Sequence, residues 1–315
     1  MTGRILFVAA NPSVDRLYAL ERLTVGAIHR PELVVAVPGG KGLNAARAAA
    51  RLGGRVTAVG IVGGRAGDWI RDGIESRGIE ARWAISGPET RTCVSVLDRS
   101  TGAMTEIYER GEAIDEAAWG ELVRIVEGEI ALGDVAAIAL SGSLPPGAPP
   151  DGFARIASIA GAAQVPVLAD TYGPALVAVL PQRPALVKVN ADEATGWSGM
   201  TIADPASAAV AARSLRVAGA ATAVVTLGSE GAVVGTAAGV SLLEPPAIRG
   251  AYPVGSGDAF LGGMAVGFAR GDDIIEAARL GLAAGIANAL LPGAGELDPE
   301  AIEPLRQASL QRVIL

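Results

Sequence analysis

The chain has 315 residues, half of them hydrophobic, with 19% charged and only 4% aromatic, a balance that argues against disorder and allows a sizeable core. Its 26 basic and 33 acidic residues give a net charge of −7, which disfavours nucleic acid or an anionic membrane as the main partner, although a small anion needs only a few local positive charges. The length suits one large domain, or one plus a smaller appendage.

Forty-two glycines punctuate the sequence, and between them short Val/Ile/Ala runs alternate with longer helical patterns. Arg4–Ala10 reads as a buried strand, followed by β-type patterning from about Ser13 to Val37 and a helix over Gly42–Leu52. A strand at Arg55–Val62 and a helix at Gly67–Arg77 come next. A second β excursion, from about Ala84 to Arg110, holds a hairpin: Thr92–Leu97, the turn-like Asp98-Arg-Ser-Thr-Gly102, then Met104–Tyr108. Beyond it the strands Val135–Leu140, Val165–Ala169, Leu186–Val189 and Ala223–Thr226 are interleaved with helices at Glu116–Glu127, Asp151–Ala163 and Asp204–Ala218. Helices at Gly257–Arg270 and Asp272–Leu290 follow. Repeated strand–helix alternation predicts an α/β fold with a mainly parallel central sheet, helices on both faces and right-handed crossovers. The two β excursions would pair into a small β-sheet lid over a cleft. The expected division is an α/β core of residues 1–11, 39–83 and 112–315, with residues 12–38 and 84–111 as the lid.

Rare residue types narrow the chemistry. Cys93 is the single cysteine and His29 the single histidine, which excludes an intrachain disulfide, a cysteine zinc site and multi-histidine metal sites. Acid–base work then falls to a carboxylate, and a reduced, cytoplasmic setting fits. The apolar run Ile5–Ala10 is too short for a signal segment, and Ile274–Leu291, which carries Glu276 and Arg279, reads as a buried helix rather than a membrane span. Only two of the basic residues are lysines, Lys41 and Lys188; both fall in polar motifs, as do Asn11, Asn44 and Asn190.

The strongest motif is Val254-Gly-Ser-Gly-Asp-Ala-Phe260, opening a helix. Gly255 and Gly257 allow a tight turn that points N–H groups outward, and the helix N-terminus adds a positive dipole end. Asp258, in the first turn, can take a proton from a hydroxyl attacking phosphorus; taken alone, a carboxylate that merely complements the helix dipole explains it about as well. Pro38-Gly-Gly-Lys-Gly-Leu-Asn44 also enters a helix. Lys41 and Asn44 offer donors to hydroxyl or phosphate oxygens there, although Gly42 after the lysine rules out a Walker loop. Leu186-Val-Lys-Val-Asn-Ala-Asp-Glu193 ends a strand, where open α/β sheets bind ligands. Lys188 can meet a nucleotide phosphate and Glu193 can hold Mg²⁺ through water, while an Asn190–Glu193 capping box accounts for two of the same residues structurally. Asn11-Pro-Ser-Val-Asp15 places Asp15 where it can bind a polyol or simply be solvated after a turn. Ser141-Gly-Ser-Leu-Pro-Pro146 and Leu227-Gly-Ser-Glu-Gly231 are strand-ending loops of weak specificity. Most of these motifs sit where strands lead into helices, so one cleft edge would collect them.

The early Gly-Gly helix entry, the Asn190-x-x-Glu193 element and the late Gly255-x-Gly-Asp258 resemble, in order and spacing over essentially the whole chain, the ribokinase-like or PfkB carbohydrate kinases. The resemblance implies a three-layer α/β/α ribokinase-like fold, ATP and Mg²⁺ as cofactors, and phosphoryl transfer to a sugar hydroxyl. Asp258 would be the catalytic base, with Gly255, Ser256 and Gly257 forming the anion hole; Ser256 stands where the family usually has Ala. The segments Asn11–Asp15, Val25-Gly-Ala-Ile-His-Arg30, Gly39–Gly42 and Ser141–Pro145 look like the phosphosugar branch, which holds 1-phosphofructokinase, tagatose-6-phosphate kinase and the minor 6-phosphofructokinase. By that likeness Asp15, Gly39, Gly40, Lys41 and Asn44 contact the sugar, while Arg30, Arg91 and Ser141 lie near it or its phosphate. Lys188, Asn190, Thr226, Gly228, Ser229, Gly231 and Asn288 would serve the nucleotide, with Glu193 toward the metal.

The implied acceptor is a ketohexose monophosphate: fructose 1-phosphate, tagatose 6-phosphate or fructose 6-phosphate. A kinase of an unphosphorylated sugar or nucleoside, and a catalytically silent nucleotide-binding regulator, are the alternatives. Departures from the branch are His29 for an Asn, Tyr108-Glu-Arg-Gly111 for Asn-Glu-Pro-Gly, and Val189 for a Pro; the first two touch the acceptor side. An exposed lid sheet would offer a face for a homodimer.

Overall fold

The opening strand, β1 (Arg4–Ala9), is buried at every position. Its Leu6 and Val8 join one hydrophobic cluster while Ile5, Phe7 and Ala9 join another, so helices must cover both faces of the sheet it belongs to. The computed structural model describes residues 3–314. In the first half, β2 (Ser13–Leu20), β3 (Leu33–Gly39), α1 (Lys41–Arg51), β4 (Val56–Gly63), α2 (Gly64–Glu75), β5 (Glu80–Ser86), β6 (Thr92–Asp98), β7 (Ala103–Tyr108), α3 (Glu116–Ala131) and β8 (Val135–Ser141) follow β1. Then come α4 (Gly152–Ala162), β9 (Val167–Asp170), α5 (Gly173–Val179), β10 (Leu186–Asn190), α6 (Ala191–Ser198), α7 (Pro205–Val217) and β11 (Thr222–Thr226). The chain continues through β12 (Ala232–Thr236), β13 (Gly239–Glu244), α8 (Ser256–Arg270), α9 (Ile274–Ala289), α10 (Ile302–Ala308) and β14 (Leu310–Val313).

Ten strands form one sheet in the order β14-β13-β12-β11-β10-β9-β8-β1-β4-β5. The strands from β11 to β5 run parallel, and β12, β13 and β14 extend the sheet in antiparallel fashion. Helices α3, α4, α5 and α7 pack on one face and α1, α2, α8, α9 and α10 on the other. This is the three-layer α/β/α arrangement expected from the sequence. The antiparallel extension was not expected: β11, β12 and β13 are joined by short glycine-containing turns with no α-helix between them to mark the strands, and β14 is a four-residue strand reached only after α8, α9 and α10.

A second sheet, in the order β3-β2-β6-β7, stands apart from the first. The β2/β3 and β6/β7 pairs are antiparallel and the β2/β6 pair is parallel, with β6 and β7 forming the expected hairpin. Leu17, Ala19 and Leu97 form its buried face, joined by Leu33, Val35, Met104 and, from the segment before α8, Tyr252. Residues 84–86 belong to the large sheet instead, since β5 stays in register with β4 from Thr57↔Glu80 to Gly63↔Ser86. As an edge strand β5 alternates between exposed and covered positions, which gives it the same period-2 pattern as a strand of the small sheet. No described helix is long and apolar enough to cross a membrane.

Candidate active site

The carboxyl ends of the parallel strands, the N-termini of α1 and α8, and one side of the small sheet enclose a cavity of about 660 Å³. The small sheet and its approach contribute Ser13, Asp15, Arg91, Cys93, Glu106 and Tyr108, and an apolar part is formed by Pro245, Ile248, Leu282, Ile286 and Ala289.

The turn into α8 is built from glycine for steric reasons. Gly255 has φ of 84°, and a Cβ there would come within 2.7 Å of Ala294. A Cβ at Gly257 would stand 2.8 Å from Lys188 Nζ, so a buried ammonium lies directly against the first turn of the helix. Helix amides and ammonium together make this an anion site. Asn288, wholly buried on α9, donates through Nδ2 to Val254 O (3.0 Å) and Ser256 Oγ (3.2 Å) and accepts from Gly295 N (2.6 Å). Its amide is therefore consumed in bracing the turn, and it does not line the cavity as a nucleotide contact would.

Asp258 follows in the first turn, 7% exposed. Its Oδ2 accepts from Asn44 Nδ2 at 2.9 Å, and the same nitrogen donates to Asp15 Oδ2 at 3.1 Å. Asp15 also accepts from Ser13 Oγ (2.6 Å) and Gly40 N (3.1 Å). Burial pushes the Asp258 carboxyl up to about 7; the nearby Asp170 adds to the rise, and Lys41, Lys188 and the Asn44 hydrogen bond oppose it. A carboxyl tuned to that range suits a general base working near neutral pH.

Asp170, at the end of β9 and fully buried, was not singled out from the sequence. It binds Lys188 Nζ through Oδ2 (2.8 Å) and Lys41 Nζ through Oδ1 (3.2 Å). Burial works against its charge, but the two ammonium groups overcome that and hold the carboxyl below its ordinary range. Lys41 also pairs with Glu193 and stands 5.6 Å from the centre of the Tyr172 ring. Burial would lower its ammonium, yet Asp170, Glu193 and Asp258 together keep it above the usual value. Asn190 and Glu193 form the expected capping box: Glu193 N donates to Asn190 Oδ1 (2.8 Å) and Asn190 N to Glu193 Oε2 (2.9 Å). Both carboxylate oxygens of Glu193 are thus engaged, one by the cap and one by Lys41. Among the described residues no three acidic, His or Cys side chains gather to hold a metal. The donor set fits an ion that arrives on nucleotide phosphates and keeps several waters, as Mg²⁺ does, rather than a protein-made cage.

Of the residues selected from sequence, Asp15, Gly40, Lys41, Asn44, Arg91, Lys188, Asn190, Thr226, Gly228, Ser229, Gly231 and the Gly255–Asp258 turn all line this one cavity. Gly39 sits just behind it, against the Asp15 carboxyl group. Ser141, at the end of β8, is buried outside the lining, with its hydroxyl unpaired. Arg30 is exposed on the connection between β2 and β3 and does not reach the cavity. Arg91 does reach it, with Nη1 on Glu109 O and Nη2 on Asn11 O, both at 3.1 Å. Arg249 and Glu106 also line it and carried no motif.

The description "pfkB family carbohydrate kinase" matches residues 8–301. The chain belongs to the pfkB family of carbohydrate kinases. Phosphofructokinase-2 from Escherichia coli, in complex with fructose-6-phosphate, is 26% identical to this pfkB kinase over 97% of this chain and 98% of its own, with a TM-score of 0.85. A Thermotoga maritima structure described as a "possible 1-phosphofructokinase" shares the fold at 23% identity, 99% and 100% coverage and a TM-score of 0.90. Arabidopsis thaliana ribokinase complexed with ribose and ATP also shares it, at 22% identity, 98% and 99% coverage and a TM-score of 0.75. The fold is ribokinase-like, and this pfkB kinase transfers phosphate from ATP to a sugar hydroxyl.

Proposed function

We propose that the acceptor is a ketohexose monophosphate, namely fructose 1-phosphate, tagatose 6-phosphate or fructose 6-phosphate, and that Asp258 is the general base. The observation that carries the reading is the meeting of Asp258, the Gly255–Gly257 amides and the Asp15–Asn44 pair in one cavity, with the Arg91 guanidinium on its wall. The sugar hydroxyl loses its proton to Asp258 as its oxygen attacks the γ-phosphorus, the bond from that phosphorus to the β–γ bridging oxygen breaks and ADP leaves, and the α8 amides with Lys41 and Lys188 stabilise the charge on the transferring group. Mg²⁺ would neutralise phosphate charge, held through water from the Asn190–Glu193 region. The adenine would pack along Gly228–Gly231 and the α9 side chains Leu282 and Ile286. The small sheet acts as the lid: closure excludes water and limits wasteful hydrolysis of ATP. Arg91 is the cationic residue suited to the sugar's own phosphate, because a guanidinium can bind it in a bidentate manner. The fructose-6-phosphate complex of the Escherichia coli neighbour supports the acceptor class. A cytoplasmic setting and a homodimer through exposed lid residues such as Val34 and Ile107 complete the proposal.

A coupled ADP-release assay across fructose 1-phosphate, fructose 6-phosphate, tagatose 6-phosphate, ribose and adenosine tests it, with Asp258→Asn alongside. One of the sugar phosphates should show the highest kcat/KM, and the variant should lose at least ~10²-fold in turnover while retaining binding of both substrates. Preference for ribose or adenosine would reassign the acceptor, and near-normal turnover of Asp258→Asn would remove that residue from the role.

A further inference from the structure

We infer that Arg47 is a positioning residue for the catalytic base, holding the Asn44 amide in the one orientation that presents its N–H groups to Asp15 and Asp258. The inference rests on the assignment of Asp258 made above. Arg47 lies on α1, 1% exposed, and is absent from the cavity lining, so it acts from the side remote from substrate. Its Nη2 donates to Asn44 Oδ1 at 2.9 Å and also to Ala294 O, while Nη1 pairs with Glu296 Oε1 at 2.6 Å. Arg47 is the hydrogen-bond donor to Asn44 Oδ1 among the described residues. With that oxygen held, Nδ2 is left to face Asp258 Oδ2 and Asp15 Oδ2.

The two ends of an amide have opposite effects on a neighbouring carboxyl group. An N–H donates to the ionised form and favours it; a carbonyl oxygen repels that form and accepts only from the protonated one. Turning the Asn44 amide over would therefore convert a carboxylate ready to accept a proton into an acid that already carries one. Several charged groups set the balance at this point. Lys41 from α1, Asp170 from β9 and Lys188 from β10 face Asp258, and Glu296, Arg77, Asp15 and Asp258 surround Arg47. None of them contacts Asn44 Oδ1. Burying a guanidinium is costly unless it is neutralised, and Glu296, itself 3.5 Å from Arg77, supplies that countercharge.

The test is the pH dependence of kcat and kcat/KM for the wild type, Arg47→Lys and the double variant Arg47→Met with Glu296→Gln. Each is assayed with saturating Mg·ATP and whichever acceptor of the panel turns over fastest, with thermal unfolding followed in parallel. The ammonium of Arg47→Lys can still neutralise Glu296, so this variant keeps the test open if the double variant does not fold; it lacks the two-pronged fork that serves Glu296 and the amide together. In each folded variant the acid limb should move up by about one pH unit, so that a loss of roughly 10-fold below the wild-type midpoint shrinks at alkaline pH. An unmoved limb in Arg47→Lys, or a rate loss equal at every pH, overturns the inference. Asp258→Asn separates the two levels: its retained turnover would overturn the base assignment, whereas an inactive Asp258→Asn with unmoved Arg47 profiles overturns the positioning role alone.

Discussion

Lys188 Nζ stands 2.8 Å from Asp170 Oδ2, and neither side chain is more than 2% exposed. Asp170 uses its other oxygen for Lys41, so one carboxylate at the end of β9 holds both lysines of the chain close together. Two ammonium groups would otherwise repel, and the shared counter-ion keeps positive charge concentrated beside the α8 turn. Asp170→Asn leaves Lys188 buried without a carboxylate partner. It should cost about 3–5 kcal/mol in denaturant titration, the scale for breaking a buried pair. A cost below about 1 kcal/mol would show that Lys188 is satisfied by other means.

The protonation of Asp258 has a consequence for folding with a definite sign. Its carboxyl is raised to about 7 in the folded protein from an ordinary 3.8, so the folded state binds this proton more tightly than the unfolded chain does. The contribution is fully present below about pH 4 and is lost as pH rises through about 7. Asp258→Asn removes the penalty of the buried charge. Its melting temperature relative to the wild type should therefore climb between pH 5 and pH 8, and the free-energy difference behind that climb has a ceiling of about 4 kcal/mol. A difference that stays flat with pH would show that the carboxyl titrates normally in the fold. Asp170 pulls the other way, since its lowered value adds stability that is lost on acidification, so the difference between the two proteins is the quantity to read.

Arg91 offers a sharper view of the acceptor. Two backbone carbonyls, Glu109 O and Asn11 O, fix its guanidinium at the cavity wall. Arg91→Ala should raise KM for the preferred sugar phosphate by at least ~10-fold, the scale of one charge-assisted contact, while changing that of its unphosphorylated analogue far less. Equal losses for both would mean that Arg91 shapes the lid wall and does not meet a phosphate.

The sheet and the site differ in how far they could be read in advance. Apolar runs between glycines located the core strands of the parallel region, and the Asn190–Glu193 spacing announced a capping box that the fold contains. Gly255 was legible because a turn with positive φ leaves few other choices. Asp170 was not, because a lone Asp after an apolar strand acquires meaning only from Lys41 and Lys188, and Lys41 lies 129 positions away in the chain. For Arg30 the motif was visible, but its position relative to the cavity depends on how the β2–β3 connection turns, which local spacing does not encode. Asn288 was placed on the correct helix, but its hydrogen bonds to the 254–256 turn were not foreseen, since side-chain direction follows from packing.

Strand β3 ends at Gly39 and α1 begins at Lys41, leaving Gly40 as the single link between them. The helix end joined to the small sheet in this way carries Lys41, whose ammonium bridges Asp170 and Glu193, and Asn44, whose amide faces Asp258. Nothing but Gly40 separates the small sheet from Lys41, so a displacement of β3 along the chain has no intervening loop to absorb it before it reaches the first turn of α1.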